Sequence, residues 1–294
     1  MRFAFGVFSV LVFLLLPRIA EACPVCGAAD KTLPASGNEI AYEGRFRATV
    51  DGRAAGYAAR YEPMRITEVR IIPGVSKAIG ESMMIGADVP LLRRGITSTN
   101  GGADIDRMML GDVEARASFL AYRSSPVGNG RRLTIHGSLK APTAPLERDA
   151  AGRWVPTDLQ PGCGSIVPTM GATYTVTWSV VSWWASTSLA LPVSVREGPH
   201  PGDSLRASSS VQVQPSMKFA TRLGVHGRLD SAGDIEGEVD KRSGGGALYV
   251  APELVFSPTE EIVVSAGASF PLLQGTRGHL ATSPVALLGV GYDF

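Results

Sequence analysis

The chain has 294 residues, of which 45% are hydrophobic and 19% are charged, and its formal net charge is +1. Its length suits one large β domain, and its charged fraction is below the roughly 25% of typical soluble domains. A net charge this close to zero gives no electrostatic footprint for nucleic acid, so we expect no nucleic-acid partner. Beyond residue 22 no apolar run is as long as a transmembrane helix, so a membrane-embedded mature chain would have to be a closed β-barrel.

Residues 1–22 have the pattern of a secretory signal peptide. Arg2 gives the positive start, Phe3–Leu16 is almost wholly apolar, and Pro17 breaks the segment. Ala20 and Ala22 then stand at the spacing of a cleavage site. The apolar run of about 14 residues is short for a membrane span. An uncleaved anchor helix is the alternative, and lipidation of the residue after the cleavage site is disfavoured because Ala20 fits a lipobox poorly.

Residues 23–42 are predicted to be a flexible N-terminal segment that carries Cys-Pro-Val-Cys. In an oxidising compartment, a local disulfide between Cys23 and Cys26 is the first interpretation. Redox or metal chemistry is the alternative, although no helical period follows Gly27, no His lies near, and haem attachment would need His at that position. Cys163 lies on a predicted outer loop and has no evident role. The sequence predicts no cofactor, no metal site and no catalytic residue.

From residue 43 to residue 294, apolar residues alternate with polar or small ones, as in β-strands that have two different faces. The clearest segment is Trp183–Val193, in which Leu189 and Trp184 fall on opposite faces. We predict about twelve strands, at 43–52, 62–73, 81–90, 112–121, 132–140, 173–180, 183–193, 204–215, 219–226, 248–256, 262–270 and 285–294. The predicted fold class is all-β. The even number of strands favours a transmembrane β-barrel whose antiparallel strands follow one another in an up-and-down order.

The predicted connections alternate in length. Those after even-numbered strands are short: 123–130, 181–182, 215–216 and 257–260. Those after odd-numbered strands are long: 91–110, 142–164, 196–203, 230–245 and 271–284. Bacterial outer-membrane barrels have short periplasmic turns and long outer loops, so both termini are predicted to be periplasmic.

The last strand resembles the assembly signal that closes many outer-membrane barrels. Phe294, Tyr292 and Val290 form its apolar edge, and we expect the barrel assembly machinery to recognise them. Phe294 also belongs to a predicted aromatic girdle at the periplasmic ends of strands, together with Trp178, Trp183, Phe219 and Phe256. The alternative for these aromatic residues is the core of a soluble β-sandwich, and Phe294 could fill the girdle without any role in assembly.

The charged and imidazole side chains on the polar strand faces are the candidate lining of the barrel lumen. They are Glu114, Arg116, Arg132, His136, Lys140, Arg222, His226, Arg228 and Glu253. Because both signs of charge occur, strong ion selectivity is not expected. The alternative for the two histidines is solvated lining without any specific task.

Short glycine-rich motifs are similar to those of the outer-membrane transporter family associated with the phenol meta-degradation pathway. The motifs are Gly111-Asp112, Leu139–Ala144, Gly162–Ser165 and Phe270–Leu272, followed by a basic loop and the strand to Phe294. The resemblance covers roughly residues 80–294 and departs from the pattern at Ala144, where Gly is usual, and at Cys163, where Thr is expected. It implies an outer-membrane channel for small, often aromatic or hydrophobic compounds.

Together these features predict a passive channel or facilitator for the uptake or efflux of small solutes in the outer membrane of a Gram-negative bacterium. The lipid of that membrane and the solute are then its partners. The alternative is a scaffold that transports nothing and docks a periplasmic redox or metal-handling partner through Cys23 and Cys26.

Overall fold

The computed structural model describes residues 44–59, 64–98, 105–124, 129–149, 152–277, 281 and 283–294. The predicted signal peptide 1–22 and the segment 23–42, with Cys23 and Cys26, lie outside the described residues. Within the described residues, one short 3-10 helix is formed by Thr157–Leu159, and no helix is long and apolar enough to cross a membrane.

The strands close into a twelve-stranded antiparallel β-barrel. They are β1 (Phe46–Ala58), β2 (Met64–Ile79), β3 (Met83–Asp88), β4 (Leu91–Ser98), β5 (Ile105–Leu110), β6 (Glu114–Arg123), β7 (Gly130–Lys140), β8 (Ser165–Trp178), β9 (Val181–Ala190), β10 (Val193–Ser194), β11 (Pro199–His200), β12 (Ser204–Ser216), β13 (Phe219–Asp230), β14 (Asp234–Ile235), β15 (Glu238–Val239), β16 (Gly245–Phe256), β17 (Ile262–Thr276) and β18 (Val285–Asp293). Each barrel strand pairs with its neighbours in the sequence, and β1 pairs with both β2 and β18. The predicted fold class is therefore confirmed.

Two of the twelve barrel strands are interrupted. β3 and β4 pair with the two halves of β2 and form one barrel strand that breaks at Val89 and Pro90. β5 and β6 pair with β4 and β3 and form the next, broken at residues 111–113. The predicted long loop 91–110 is therefore wrong, because most of it is the β4–β5 hairpin and only residues 99–104 connect the two strands. Pro90 and Gly111 interrupt the alternation of apolar and polar residues by which strands are predicted. The β4–β5 hairpin was therefore not predicted from the sequence.

At one end of the barrel every connection has six residues or fewer, whereas three connections at the other end have thirteen or more. At the short-turn end, two residues join β8 to β9 and two join β12 to β13. The predicted turn at 181–182 is displaced, since these residues begin β9 and the turn is Ser179–Val180, with Ser179 at a φ of 49°. Residues 141–164, 191–203 and 231–244 form the longest connections at the opposite end. Gly44, where the described chain begins, and Phe294 both lie at the short-turn end.

The barrel is apolar outside and polar inside, the reverse of a soluble protein. Large exposed hydrophobic side chains point outward from strands all round the barrel, among them Val75, Ile85, Phe119, Ile135, Leu205, Leu223, Leu254, Phe270 and Leu288. The residues that alternate with them are buried or half-buried and mostly polar, such as Thr49, Glu68, Asp88 and Glu253. A band of this kind is stable against lipid, where a closed barrel leaves no backbone group unpaired.

Charged residues mark where the apolar band ends towards the long loops. On the outer surface of the β4–β5 hairpin, Arg93 donates hydrogen bonds to both carboxylate oxygens of Asp106, the shortest of them 2.6 Å. An exposed ion pair of this kind is stable in water and at the headgroup level, so Arg93 and Asp106 mark the edge of the band.

Candidate solute site in the barrel lumen

The structure places all nine predicted lumen residues on the inward-facing register of their strands. Glu253 is buried, and the other eight are half-buried: Glu114, Arg116, Arg132, His136, Lys140, Arg222, His226 and Arg228. They do not form one cluster, because they are spread over β6, β7, β13 and β16. Their inward position follows from the two-residue period, which sets the face of every residue once a strand's register is known.

Arg222 and Glu253 form the centre of a tight contact in the short-turn half of the lumen. Arg222 donates to Glu253 Oε2 at 2.8 Å and to Gln212 Oε1 at 2.9 Å. Its guanidinium carbon also lies 5.1 Å from the ring centroid of Trp184, a side chain that is only 2% exposed. Trp184 points into the barrel at this level, so these four side chains form the candidate constriction.

The remaining predicted residues make smaller contacts. His226 stacks on Tyr249, with ring centroids 4.9 Å apart, and its Nε2 shares a hydrogen bond with Ser269. Arg116 lies 3.5 Å from the Asp88 carboxylate, and Arg228 pairs with Asp230. His136 packs over Gly171 on the neighbouring strand, where any Cβ would approach its Nε2 to 2.5 Å. Neither histidine lies in a group that could hold a metal, since the described residues contain no such group.

A second ionic cluster lies in the long-loop half of the lumen and was not predicted. Glu68 accepts hydrogen bonds from Arg70 at 3.0 Å and from Arg94 at 2.6 Å, and all three side chains are buried. Arg94 also donates to the backbone carbonyl of Leu159, in the 3-10 helix of the β7–β8 loop. Leu159 packs beside the inward-facing Tyr57 and Ile66. The cluster therefore anchors this loop inside the barrel.

The three longest loops close over this end of the barrel and form what we call the cap, residues 141–149, 152–164, 191–203 and 231–244. Trp154 donates to Glu236 at 2.8 Å, and Arg196 donates to the Ala144 carbonyl at 2.9 Å. Ser165 and His200 share a buried hydrogen bond of 3.0 Å. These contacts link each loop to at least one other, so the cap is a packed layer.

Asp112 ties the two ends of the β7–β8 loop to the barrel wall. Its Oδ1 accepts the backbone N–H of Ala144 at 3.0 Å, and its Oδ2 accepts that of Cys163 at 2.7 Å. The Cys163 thiol is 6% exposed and donates to the same Oδ2 at 3.0 Å. Cys163 thus has a structural place that its position on a predicted outer loop did not reveal. Gly162 is required beside it, because a Cβ there would lie 2.7 Å from Asp112.

Beneath the cap lies a cavity of about 70 Å³, enough for several water molecules. Arg70, Lys140 and Arg206 line it together with Asp112 and Asp230. Its apolar wall includes Pro90, Val167, Ala190, Pro192 and Pro201. Of the predicted lumen residues only Lys140 reaches it, whereas Arg70 and Thr157 were missed. Arg70 belongs to a segment, Ile66-Thr-Glu-Val-Arg-Ile-Ile72, in which both faces carry apolar residues, so its alternation was weak.

Comparison with solved structures identifies the class of the fold. No family model matches the sequence, and no curated protein is significantly similar to it. Among solved structures, the COG4313 outer membrane channel from Pseudomonas putida F1 superposes with a TM-score of 0.68 at 13% identity, over 88% of this chain and 98% of that one. The transport unit of the autotransporter AIDA-I from Escherichia coli gives 0.50 at 9% identity, over 88% and 92%. The chain therefore has the fold of a bacterial outer-membrane β-barrel.

Proposed function

We propose that the protein is an outer-membrane channel or facilitator for small solutes, taken up or released passively. The observation that carries the proposal is the reversed polarity of the closed barrel, with an apolar band outside and charged residues of both signs inside. A lumen that served only to hold the barrel together could be filled by apolar side chains at no electrostatic cost. Buried ions such as Glu68, Arg94 and Arg222 are expensive to desolvate, and polar groups of this kind are the usual lining of a transport path.

The resemblance of its motifs to the phenol meta-degradation transporters favours small aromatic or hydrophobic compounds as solutes. Two features of the lumen are compatible with such a ligand. Trp184 offers an indole ring at the constriction, and the cavity beneath the cap has an apolar wall. The likeness to the Pseudomonas channel supports the class of function.

The short-turn end faces the periplasm in this proposal, and the cap faces the outside of the cell. The asymmetry of the loops supports this orientation, because outer-membrane barrels carry short turns on the periplasmic side. Both ends of the barrel domain would then be periplasmic.

Single-channel recording in planar bilayers tests the proposal. The purified mature protein should give discrete conductance steps in potassium chloride. Trp184→Ala should raise the step size because it widens the constriction, whereas Trp178→Ala, which changes an outward-facing ring at the rim, should leave it unchanged. Silence from both the native protein and Trp184→Ala would overturn the channel and favour a scaffold that transports nothing.

A further inference from the structure

Two buried donors in the cavity beneath the cap lack hydrogen-bond partners. Arg70 is 5% exposed and pairs with Glu68 through Nη2, but its Nε has no acceptor. Thr157 is 2% exposed, and its hydroxyl is likewise without a partner among the described residues. Both residues line the same cavity. Buried polar atoms are almost always satisfied in native proteins, by protein, water or ligand, so this cavity has the donors of an occupied site.

Lys140 adds a cation that the described part of the protein does not neutralise. Its cross-strand neighbour is Glu114, but the two form no ion pair, and no other carboxylate of the described residues lies within salt-bridge distance of Lys140. The acidic groups of the cavity are already engaged. Asp112 accepts two backbone N–H groups and the Cys163 thiol, and Asp230 pairs with Arg228. Lys140 and the two donors without partners are therefore the groups that this cavity can offer to an anion.

We infer that this cavity binds the carboxylate group of a small organic monoanion whose body is apolar. Arg70 Nε, the Thr157 hydroxyl and Lys140 supply donors of the type that recognise a carboxylate. The cavity of about 70 Å³ is smaller than the roughly 150 Å³ that encloses benzene, so it holds the carboxylate alone. Val167, Ala190 and the surrounding prolines contact the near end of an apolar body that extends out of the cavity. Asp112 and Asp230 stand close by and oppose a doubly charged ligand. The inference rests on the proposed function and narrows its solutes to monocarboxylates.

Benzoate and its neutral isostere benzamide are the probes that separate charge from shape. Binding is measured by isothermal titration calorimetry on the folded mature protein in detergent. Benzoate should bind, and benzamide should bind at least about tenfold more weakly, the loss expected when charge-assisted hydrogen bonds are removed. Inorganic phosphate should compete poorly with benzoate. Equal binding of benzoate and benzamide, or no benzoate binding at all, would overturn the inference and leave ordered water as the content of the cavity.

Variants locate the binding in this cavity. Lys140→Met and Thr157→Val should each weaken benzoate binding, whereas Lys218→Met, an exposed lysine in a short turn at the far end of the barrel, should not. If Lys140→Met and Lys218→Met bind benzoate as tightly as the native protein, the site lies elsewhere and the assignment is wrong. Conductance measurements distinguish the two proposals. Channel steps without benzoate binding would contradict only the carboxylate site. Benzoate binding without channel steps would contradict only the channel function.

Discussion

Arg47 and Asp293 close the barrel, because two hydrogen bonds of 2.6 Å join them across the seam between the first and last strands. Arg45 adds two more to the same carboxylate, at 3.0 and 2.9 Å. Two guanidiniums therefore share one carboxylate at the short-turn end, where each side chain is about nine-tenths buried. Since β1 and β18 are the first and last strands of the barrel, this contact ties its two ends together.

Asp293→Asn should destabilise the folded barrel by about 3 kcal/mol, since it removes the negative charge that two largely buried guanidiniums share. The measurement is the unfolding midpoint in urea, followed by the heat-modifiable gel shift of the closed barrel. Asp106→Asn is the matched control, because its pair with Arg93 is fully exposed, and it should change the midpoint little. Equal effects of the two substitutions would show that the seam contact contributes no more than a surface pair.

The assignment of faces can be tested with two arginine substitutions near the middle of the barrel. Leu223 points outward and is 56% exposed, whereas Ser186 points inward and bonds to Thr173. Leu223→Arg should cost about 2–4 kcal/mol, because it places a charge in lipid. Ser186→Arg places the same charge in the polar lumen and should cost less while altering the conductance. A one-residue error in register would exchange the two results.

The strand count and the faces could be predicted from the sequence because a strand's period is local. Leu223 and Arg222 alternate whatever the rest of the chain does, and the same holds for Lys140 and Leu139. The cap could not be predicted, because its contacts join residues far apart in the chain. Asp112 meets Cys163 across 51 residues, and Trp154 meets Glu236 across 82. Nor could the sequence show that the Arg222 guanidinium lies over the Trp184 ring, because the two residues belong to different strands, β13 and β9.

Phe294 provides a test of the terminal assembly signal, which stays a prediction. Its ring packs edge-on against Phe46 at 5.4 Å and against Tyr292 at 4.6 Å. Phe256 is an internal counterpart on the outer surface, with its ring 5.7 Å from Phe219. Phe294→Ala should lower the yield of assembled barrel far more than Phe256→Ala, while secretion continues. The yield is measured by the heat-modifiable migration of outer-membrane fractions. Equal yields of the two variants would show that Phe294 is only a girdle residue, whose apolar burial stabilises the barrel by about 1–2 kcal/mol.

Asp112 should control the opening of the cap. Asp112→Ala removes the acceptor of two buried backbone N–H groups, each of which costs about 1–3 kcal/mol when left unsatisfied. The β7–β8 loop should then open more often, and Cys163 should react with a maleimide at least about tenfold faster, since 1.4 kcal/mol is a factor of ten. The measurement uses a Cys23→Ser, Cys26→Ser background, so that Cys163 is the remaining thiol of the chain.

Asp112 also touches the Cys163 thiol directly, so a second variant must separate loop opening from thiol chemistry. Arg196→Ala loosens the same loop at the Ala144 carbonyl and leaves the Asp112 carboxylate in place. It should also speed the maleimide reaction, to a smaller extent, because it removes one hydrogen bond to the loop. Arg93→Ala, which changes only the exposed pair on the β4–β5 hairpin, is the control and should have no effect. If Asp112→Ala alone speeds the reaction, the carboxylate acts on the thiol itself, and the prediction that Asp112 controls the opening of the cap is wrong.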